Sequence, residues 1–324
     1  NGGTVEARQG GNLTVTNPTL LDSAARGTNG NGGTFILEAG SAGTGNLSIA
    51  GSLNAQGGGV GGAGTGKGGV VQLTSNSSAA FLVNGGPTAN GIDGTVGASG
   101  GATSGAGGSV SIVNRNTGGI TLTNTSDVTA AAPTSGSGGT IVLNATAGGP
   151  ALSGDITIPT GTMNVNGAGA NANGGTIDIT GKNFVSPGVG PLTLQANATG
   201  TGNGGTVRFT TTGTTSDLTV GGGGDNSLNV SATGGSVGSA AGDGGLVSVN
   251  AGRNLTVNNA PGSLNSNPLG TNGKGANITL SAGNLAGGDL FVNMPLNGSG
   301  VGTGGGGAIS LTTNSSSTFN IGTG

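Results

Sequence analysis

Apolar and polar residues alternate along short segments of this chain. In the most regular of these segments, the alternation follows a pair of small residues. A Gly-Gly-Thr-apolar-x-apolar unit recurs ten times, with Thr at its third position in five copies and with Ala276 replacing the second glycine of the ninth copy. Alternation with period two predicts a β-strand that buries one face. The ten units start at residues 2–5, 32–35, 68–71, 107–110, 138–141, 174–177, 204–207, 244–247, 275–278 and 306–309.

Two further alternating segments follow these units. The second is typified by Asn-Leu-Thr-Val and is predicted at residues 12–15, 46–49, 80–83, 119–122, 155–158, 183–186, 217–220, 254–257, 289–292 and 318–321. The third is weaker and is predicted at residues 52–55, 127–130, 162–165, 191–194, 227–230 and 263–265. Three short strands in each repeat predict a three-sided coil.

The repeat length varies between 30 and 40 residues, counted between the second small residues of successive units. Repeats of this length are typical of stacked supersecondary units, whose stability comes from nearest neighbours. We therefore predict an all-β fold, a parallel β-helix or three-sided β-solenoid of about ten rungs. It should form one continuous domain over residues 1–324, with no cap at either end.

The alternation also predicts which side chains point inward and which columns they form. The inward set of the first strand is Val5, Phe35, Leu37, Val71, Leu73, Val110, Ile112, Ile141, Leu143, Ile177, Ile179, Val207, Phe209, Val247, Val249, Ile278, Leu280, Ile309 and Leu311. The second strand adds Leu13, Val15, Leu47, Ile49, Ile156, Ile158, Leu255 and Val257. Outward, Asp178 and Arg208 should lie in register on consecutive rungs, as should Arg8 and Glu38, each pair close enough to form an ion pair.

Composition narrows the fold class. The chain has 79 glycines among 324 residues, 2% aromatic and 6% charged residues, and no Cys, His, Trp or Tyr. Glycine does not recur at every third position, so collagen is excluded. Low charge argues against ordinary disorder, and the low aromatic content argues against an ordinary globular core. The paired glycines are expected to need a positive φ or a close backbone approach.

The charge and hydropathy of the chain argue against two kinds of partner, nucleic acid and the interior of a membrane. The net charge is −3, and the 8 basic and 11 acidic residues are scattered singly. The chain has no basic stripe and no aromatic platform of the kind that binds nucleic acid. None of its apolar runs is long enough to cross a bilayer. A signal peptide is not recognisable in the sequence.

The repeated Gly-Gly-Thr-Ile-x-Leu and Asn-Leu-Thr-Val units, with Asn- and Gly-rich returns, resemble the β-helical shaft of filamentous-haemagglutinin-type exoproteins and large bacterial surface adhesins. The resemblance covers nearly the whole chain. It implies a right-handed coil, export to the cell surface, and a role in adhesion or in an extracellular matrix. The amino-terminal secretion domain of that family is not recognisable in this sequence.

No catalytic, cofactor or metal site is predicted. The aspartates Asp93, Asp127, Asp155, Asp217, Asp225, Asp243 and Asp289 are spread over many rungs and are interpreted as residues that cap turns through their own backbone. The run at residues 221–226 is close to a calcium repeat, but its aspartate is one place early and the run does not recur. Asn-x-Ser/Thr triplets such as the one at Asn12 are attributed mostly to chance, although glycosylation of an exposed face is physically easy.

The sequence favours an extracellular structural or adhesive shaft at the bacterial cell surface. It is not expected to be an enzyme. Expected partners are further rungs, in a longer shaft or in a filament of copies stacked end to end, with host, surface or glycan contacts also open. One alternative is an ice- or surface-binding solenoid, suggested by an outward column at Thr14, Ser48, Thr121, Thr157, Thr219 and Thr256. The other is a carbohydrate-active β-helix, which would need clustered carboxylates.

Overall fold

A computed structural model describes residues 1–16, 20–58, 64–86, 88–149, 152–283, 287–316 and 319. Within these residues the chain forms 28 β-strands and no α-helix. All the pairs between these strands are parallel. The predicted β-solenoid is confirmed.

The first strand of every repeat joins one continuous sheet, which we call the long face. Its ten strands follow one another in chain order and enclose nine complete turns. They are β1 (Thr4–Gln9), β4 (Thr34–Ala39), β7 (Val70–Ser75), β11 (Ser109–Asn114), β14 (Thr140–Asn144), β17 (Thr176–Gly181), β20 (Thr206–Thr211), β23 (Leu246–Ala251), β26 (Asn277–Ala282) and β28 (Ile309–Thr313).

The predicted second segments form the second side of the coil. They are β2 (Leu13–Val15), β5 (Leu47–Ile49), β8 (Phe81–Val83), β12 (Ile120–Leu122), β15 (Ile156–Thr157), β18 (Phe184–Val185), β21 (Leu218–Val220), β24 (Leu255–Asn258) and β27 (Leu290–Asn293). The last three of these, β21, β24 and β27, belong to a sheet that also contains strands of the third side, and not to the sheet of β2 to β18. The tenth predicted segment, residues 318–321, lies outside the described residues apart from Phe319.

The third side is more irregular than the other two. Six of its strands were predicted: β6 (Ser52–Asn54), β13 (Val128–Thr129), β16 (Gly161–Asn164), β19 (Leu192–Gln195), β22 (Ser227–Ser231) and β25 (Leu264–Asn265). Three strands were missed by the sequence analysis: β3 (Leu20–Asp22) and β10 (Val96–Gly97) on this side, and β9 (Gly91–Ile92) on the second side.

Two of the turns contain a strand that steps backward along the stack. Strand β9 follows β8 in sequence but lies between β8 and the earlier β5. In the same way, the start of β22 lies beneath β21, which precedes it. The reversal places Asn84 and Asn226 in the left-handed region, with φ of 59° and 58°. They are the two non-glycine residues in the described chain with a positive φ, because asparagine tolerates this conformation.

The register of the long face agrees with the prediction at every rung. Asp178 pairs with Arg208, and Arg8 pairs with Glu38. The outward column through Ser111, Val142 and Asp178 continues strand by strand to Ser310. The paired small residues are therefore a reliable ruler of rung position, even though the loops between them differ in length.

The interior is a single apolar column of small, branched side chains. The predicted inward residues of the inner rungs are 0–2% exposed, and Phe184 packs edge-on against Phe209 with ring centroids 4.9 Å apart. The prediction is wrong for Val5 and Ile309, which are 42% and 43% exposed. Leu13, Val15 and Leu311 are only partly buried. All five lie in the first or last described rung, and among the described residues a rung covers them on one side only.

Close backbone approach explains the paired glycines. None of them has a positive φ. A Cβ on Gly138 would lie 1.7 Å from the carbonyl oxygen of Val165, and one on Gly174 would lie 1.8 Å from that of Ala196. The same carbonyls accept hydrogen bonds of 2.8 Å from Gly175 and Gly205, the second glycines of the following rungs. Each carbonyl that ends a third side is thus wedged between the glycine pairs of consecutive rungs.

The variant Gly174→Ala is expected to lower the free energy of unfolding by about 3 kcal/mol or more, because the obstructing atom is a backbone oxygen that cannot turn aside. Urea unfolding followed by circular dichroism measures this. Gly223→Ala is the matched control, since a Cβ there meets nothing within 4 Å. Equal stability of the two variants would contradict the wedge.

Candidate functional surfaces

Side-chain oxygens form a ladder along the corners at which the third side of each rung leads into the next long-face strand. We call these the return corners. Backbone N–H groups donate from Asn203 to Asn173 Oδ1 at 2.8 Å, from Asp243 to Asn203 Oδ1 at 2.9 Å, and from Lys274 to Asp243 Oδ1 at 2.8 Å. Each acceptor stands one rung below its donor and two residues before the second small residue of its pair. These side chains join rungs by hydrogen bonds in addition to the strand ladders.

A similar ladder precedes the second side. The N–H of Asn254 donates to Asp217 Oδ1 at 3.0 Å, and the N–H of Asp289 donates to Asn254 Oδ1 at 2.9 Å. The expectation that these aspartates cap their own turns is therefore wrong for Asp217 and Asp243, which accept from the next rung. The repeat spacing could have indicated this, because the acidic positions alternate with Asn at one fixed place in the repeat.

Asp127 does cap its own turn, as predicted. Its carboxylate is 1% exposed and accepts from the N–H groups of Thr123 at 2.9 Å and Asn124 at 2.6 Å. The amide of Asn84 donates to its other oxygen at 2.8 Å, which ties this corner to the preceding rung. These contacts lie within the turn or join it to the preceding rung.

The other aspartates are dispersed. Asp155 accepts from Asn183 Nδ2 at 2.8 Å, Asp93 is half-buried after β9, and Asp225 is exposed in the glycine run. Asp289 accepts from the hydroxyl of Ser315. Across the described ranges, no three His, Cys, Asp or Glu side chains come close enough to hold a metal ion. No helix in the same ranges could span a membrane.

One charged cluster, which we call the clasp, spans four rungs of the long face. Glu38 accepts from Arg8 and, at 2.6 Å, from Arg115, while Arg8 also pairs with Glu6 at 2.9 Å. The predicted pair of Arg8 and Glu38 forms, but Glu38 is only 7% exposed rather than on an open face. Burial alone would raise the pKa of Glu38, yet the hydrogen bonds from Arg115 and Arg8 outweigh it and hold that pKa below its ordinary value.

The second predicted ion pair behaves differently. Asp178 and Arg208 are register partners, but no ion pair joins them among the described side chains, which include both residues. Burial raises the pKa of Asp178, and the charge of Arg208 only partly offsets this. The sequence analysis missed a third pair: Arg253 binds Asp217 through two hydrogen bonds of 2.7 and 2.5 Å, which lower the pKa of Asp217.

The outward threonine column is interrupted. Thr121 pairs with Thr157, and Thr219 pairs with Thr256, but Leu82 and Gly91 lie between Thr121 and Ser48. Val185 and Phe291 end the two runs. The strands β8, β18 and β27 carry apolar residues at the outward position, β9 inserts Gly91, and β21 belongs to another sheet. The outward hydroxyls therefore do not form one regular array.

Two grooves open on the third side. The larger has a volume of about 550 Å³ and lies between β25 and the segment at residues 294–297. The smaller is about 300 Å³ and lies over Gly97, whose lack of a side chain opens a depression between Asn54 and Thr129.

No protein-family model, curated protein or solved structure matches the chain. The resemblance to filamentous-haemagglutinin-type exoproteins therefore rests on the repeat motifs and stays a prediction.

Neutralising the central carboxylate of the clasp, Glu38→Gln, is expected to lower stability by about 1–3 kcal/mol at pH 7, because hydrogen bonds to a charged group are lost. The folded pKa of Glu38 is depressed, so its contribution is full above the ordinary value of 4.5 and disappears as the pH falls through the lower folded value. The variant and the parent should converge below that range.

Thermal unfolding of both proteins at pH 7 and in the acid range measures the convergence. Glu6→Gln is the control, because solvent screens the exposed pair of Glu6 and Arg8 and its loss should change the stability little. A constant difference between Glu38→Gln and the parent at every pH would disprove the account of the clasp.

Proposed function

We propose that this chain is a non-catalytic shaft, an extracellular structural or adhesive β-solenoid displayed at a bacterial cell surface. The observation that carries the proposal is the long face: ten parallel strands in unbroken register. The rungs repeat a similar corner, altered at Ala276, and the same inward columns, so the fold extends along one axis by addition of similar turns. Such geometry suits a rod that separates or presents other parts.

The distribution of polar chemistry supports a non-catalytic role. General acid–base work requires titratable groups within hydrogen-bond reach of one reacting centre. Apart from Asp93, Asp178 and Asp225, the carboxylates described above are instead engaged in corner ladders, in ion pairs, in turn caps or in contacts with other side chains. Their oxygens accept hydrogen bonds from the backbone and from arginine, which is what a structural role requires.

Exposed apolar side chains on the first and last described rungs support continuation of the stack. Val5 in β1 and Ile309 in β28 belong to the inward columns, yet both are nearly half-exposed. A further rung, from the same polypeptide or from another copy, would cover them and would pair with the open strand edges. We propose such continuation as the way in which the shaft lengthens.

Negative-stain electron microscopy of the purified chain tests the shaft. We expect straight rods whose lengths are multiples of about 48 Å, because the ten long-face strands of each stacked copy occupy ten strand spacings. The double variant Val5→Asp, Ile309→Asp should shorten the rods to single units, whereas Thr4→Asp, Ser310→Asp, which changes outward positions of the same strands, should not. Globular particles, or cleavage of any polysaccharide in a degradation screen, would refute the proposal.

A further inference from the structure

The larger groove on the third side lies between β25 and residues 294–297. We propose that it binds an uncharged, hydroxyl-rich ligand, and that the ligand class is a neutral glycan. The inference deepens the adhesive part of the proposed function and rests on it. The groove is lined by residues 259–267 and by Met294, Pro295 and Asn297.

The groove exists because the third side loses a strand. On the preceding rungs an inward column runs through Met163, Leu194 and Val230, each at most 1% exposed, and continues to Leu264. Leu264 is only partly buried. In the described structure β25 pairs with β22 alone, and no strand forms at residues 294–300 of the next rung. The ladder through β16, β19, β22 and β25 therefore ends in a gap, while the second side continues to β27 and the long face to β28.

Four carboxamides surround this gap and have hydrogen-bonding capacity to spare. Among the described contacts the side chain of Asn259 makes no hydrogen bond, and Asn267 Oδ1 is buried without a donor. The oxygens of Asn265 and Asn297 accept from nearby backbone N–H groups at 3.4 and 2.9 Å, which leaves their NH₂ groups as donors. Carboxamides both donate and accept, as sugar hydroxyls require.

The absence of charge in the lining selects the ligand class. The twelve lining residues include no Asp, Glu, Lys or Arg. An anionic or cationic ligand would thus lose hydration without gaining a counter-charge, whereas a neutral ligand would not. Pro261, Met294 and Pro295 add apolar surface that can pack against the C–H faces of a sugar ring. The volume of about 550 Å³ lies within the range of ligand pockets.

The smaller groove provides an internal comparison. Its polar groups are largely engaged with one another, since Asn54 Nδ2 donates to Asp22 at 3.2 Å and the N–H of Thr95 donates to Ser52 Oγ at 3.0 Å. Gln56 lines this groove and is exposed. A Gln56→Ala variant therefore removes an exposed carboxamide from the same side of the coil without touching the larger groove.

Binding is tested on the intact chain with an array of neutral, sulfated and uronic-acid glycans, followed by calorimetry with the neutral oligosaccharide that binds best. The double variant Asn259→Ala, Asn297→Ala changes two exposed residues and should fold normally. It should weaken binding about tenfold or more, because each lost hydrogen bond removes part of the affinity. Gln56→Ala should bind like the parent.

Three results would overturn the inference: no neutral glycan bound at about millimolar concentration, equal affinity of the double variant and the parent, or a preference for charged glycans that salt abolishes. The proposed shaft is tested separately by microscopy. Rods that bind no glycan would disprove the glycan site and would still support the shaft.

Discussion

The carbonyl wedge at the return corner is the constraint on which the rest of the structure depends. The oxygen of Val165 lies between Gly138 and Gly175, where a single methyl group would collide with it. This contact fixes the distance between consecutive rungs at the place where each long-face strand begins. Once the start is fixed, the strand ladder, the inward column and the outward columns follow from period two alone.

The corner also explains why loops of different length are tolerated. Between wedges the chain inserts β9 or the glycine run before β22, and both insertions return to the same register on the long face. At the ninth corner Ala276 replaces a glycine, and the oxygen of Ser266 instead accepts a hydrogen bond from Gly245 at 3.0 Å. The groove proposed to bind glycans follows this altered corner, on the side where the ladder stops at β25.

Sequence patterning could predict the long face and the second side nearly completely, because alternation and paired small residues carry that information. It could not predict β3, β9 or β10, which are two or three residues long, and β9 steps backward against the order of the chain. The burial of Glu38 also could not be predicted from the sequence, because its partner Arg115 lies two rungs away. The large groove was missed because it arises from a strand that does not form, and alternation cannot report an absent pairing.

The central claim is that the paired small residues set one rung height for the whole stack. The chain has no cysteine, so spin labels can be placed freely on the outward column of the long face. One label stays at Ser111 and the second moves from Ser248 to Thr279 to Ser310. Pulsed electron paramagnetic resonance should then give distances near about 19, 24 and 29 Å, rising by one strand spacing at each step. Distances that do not rise in equal steps would contradict the account.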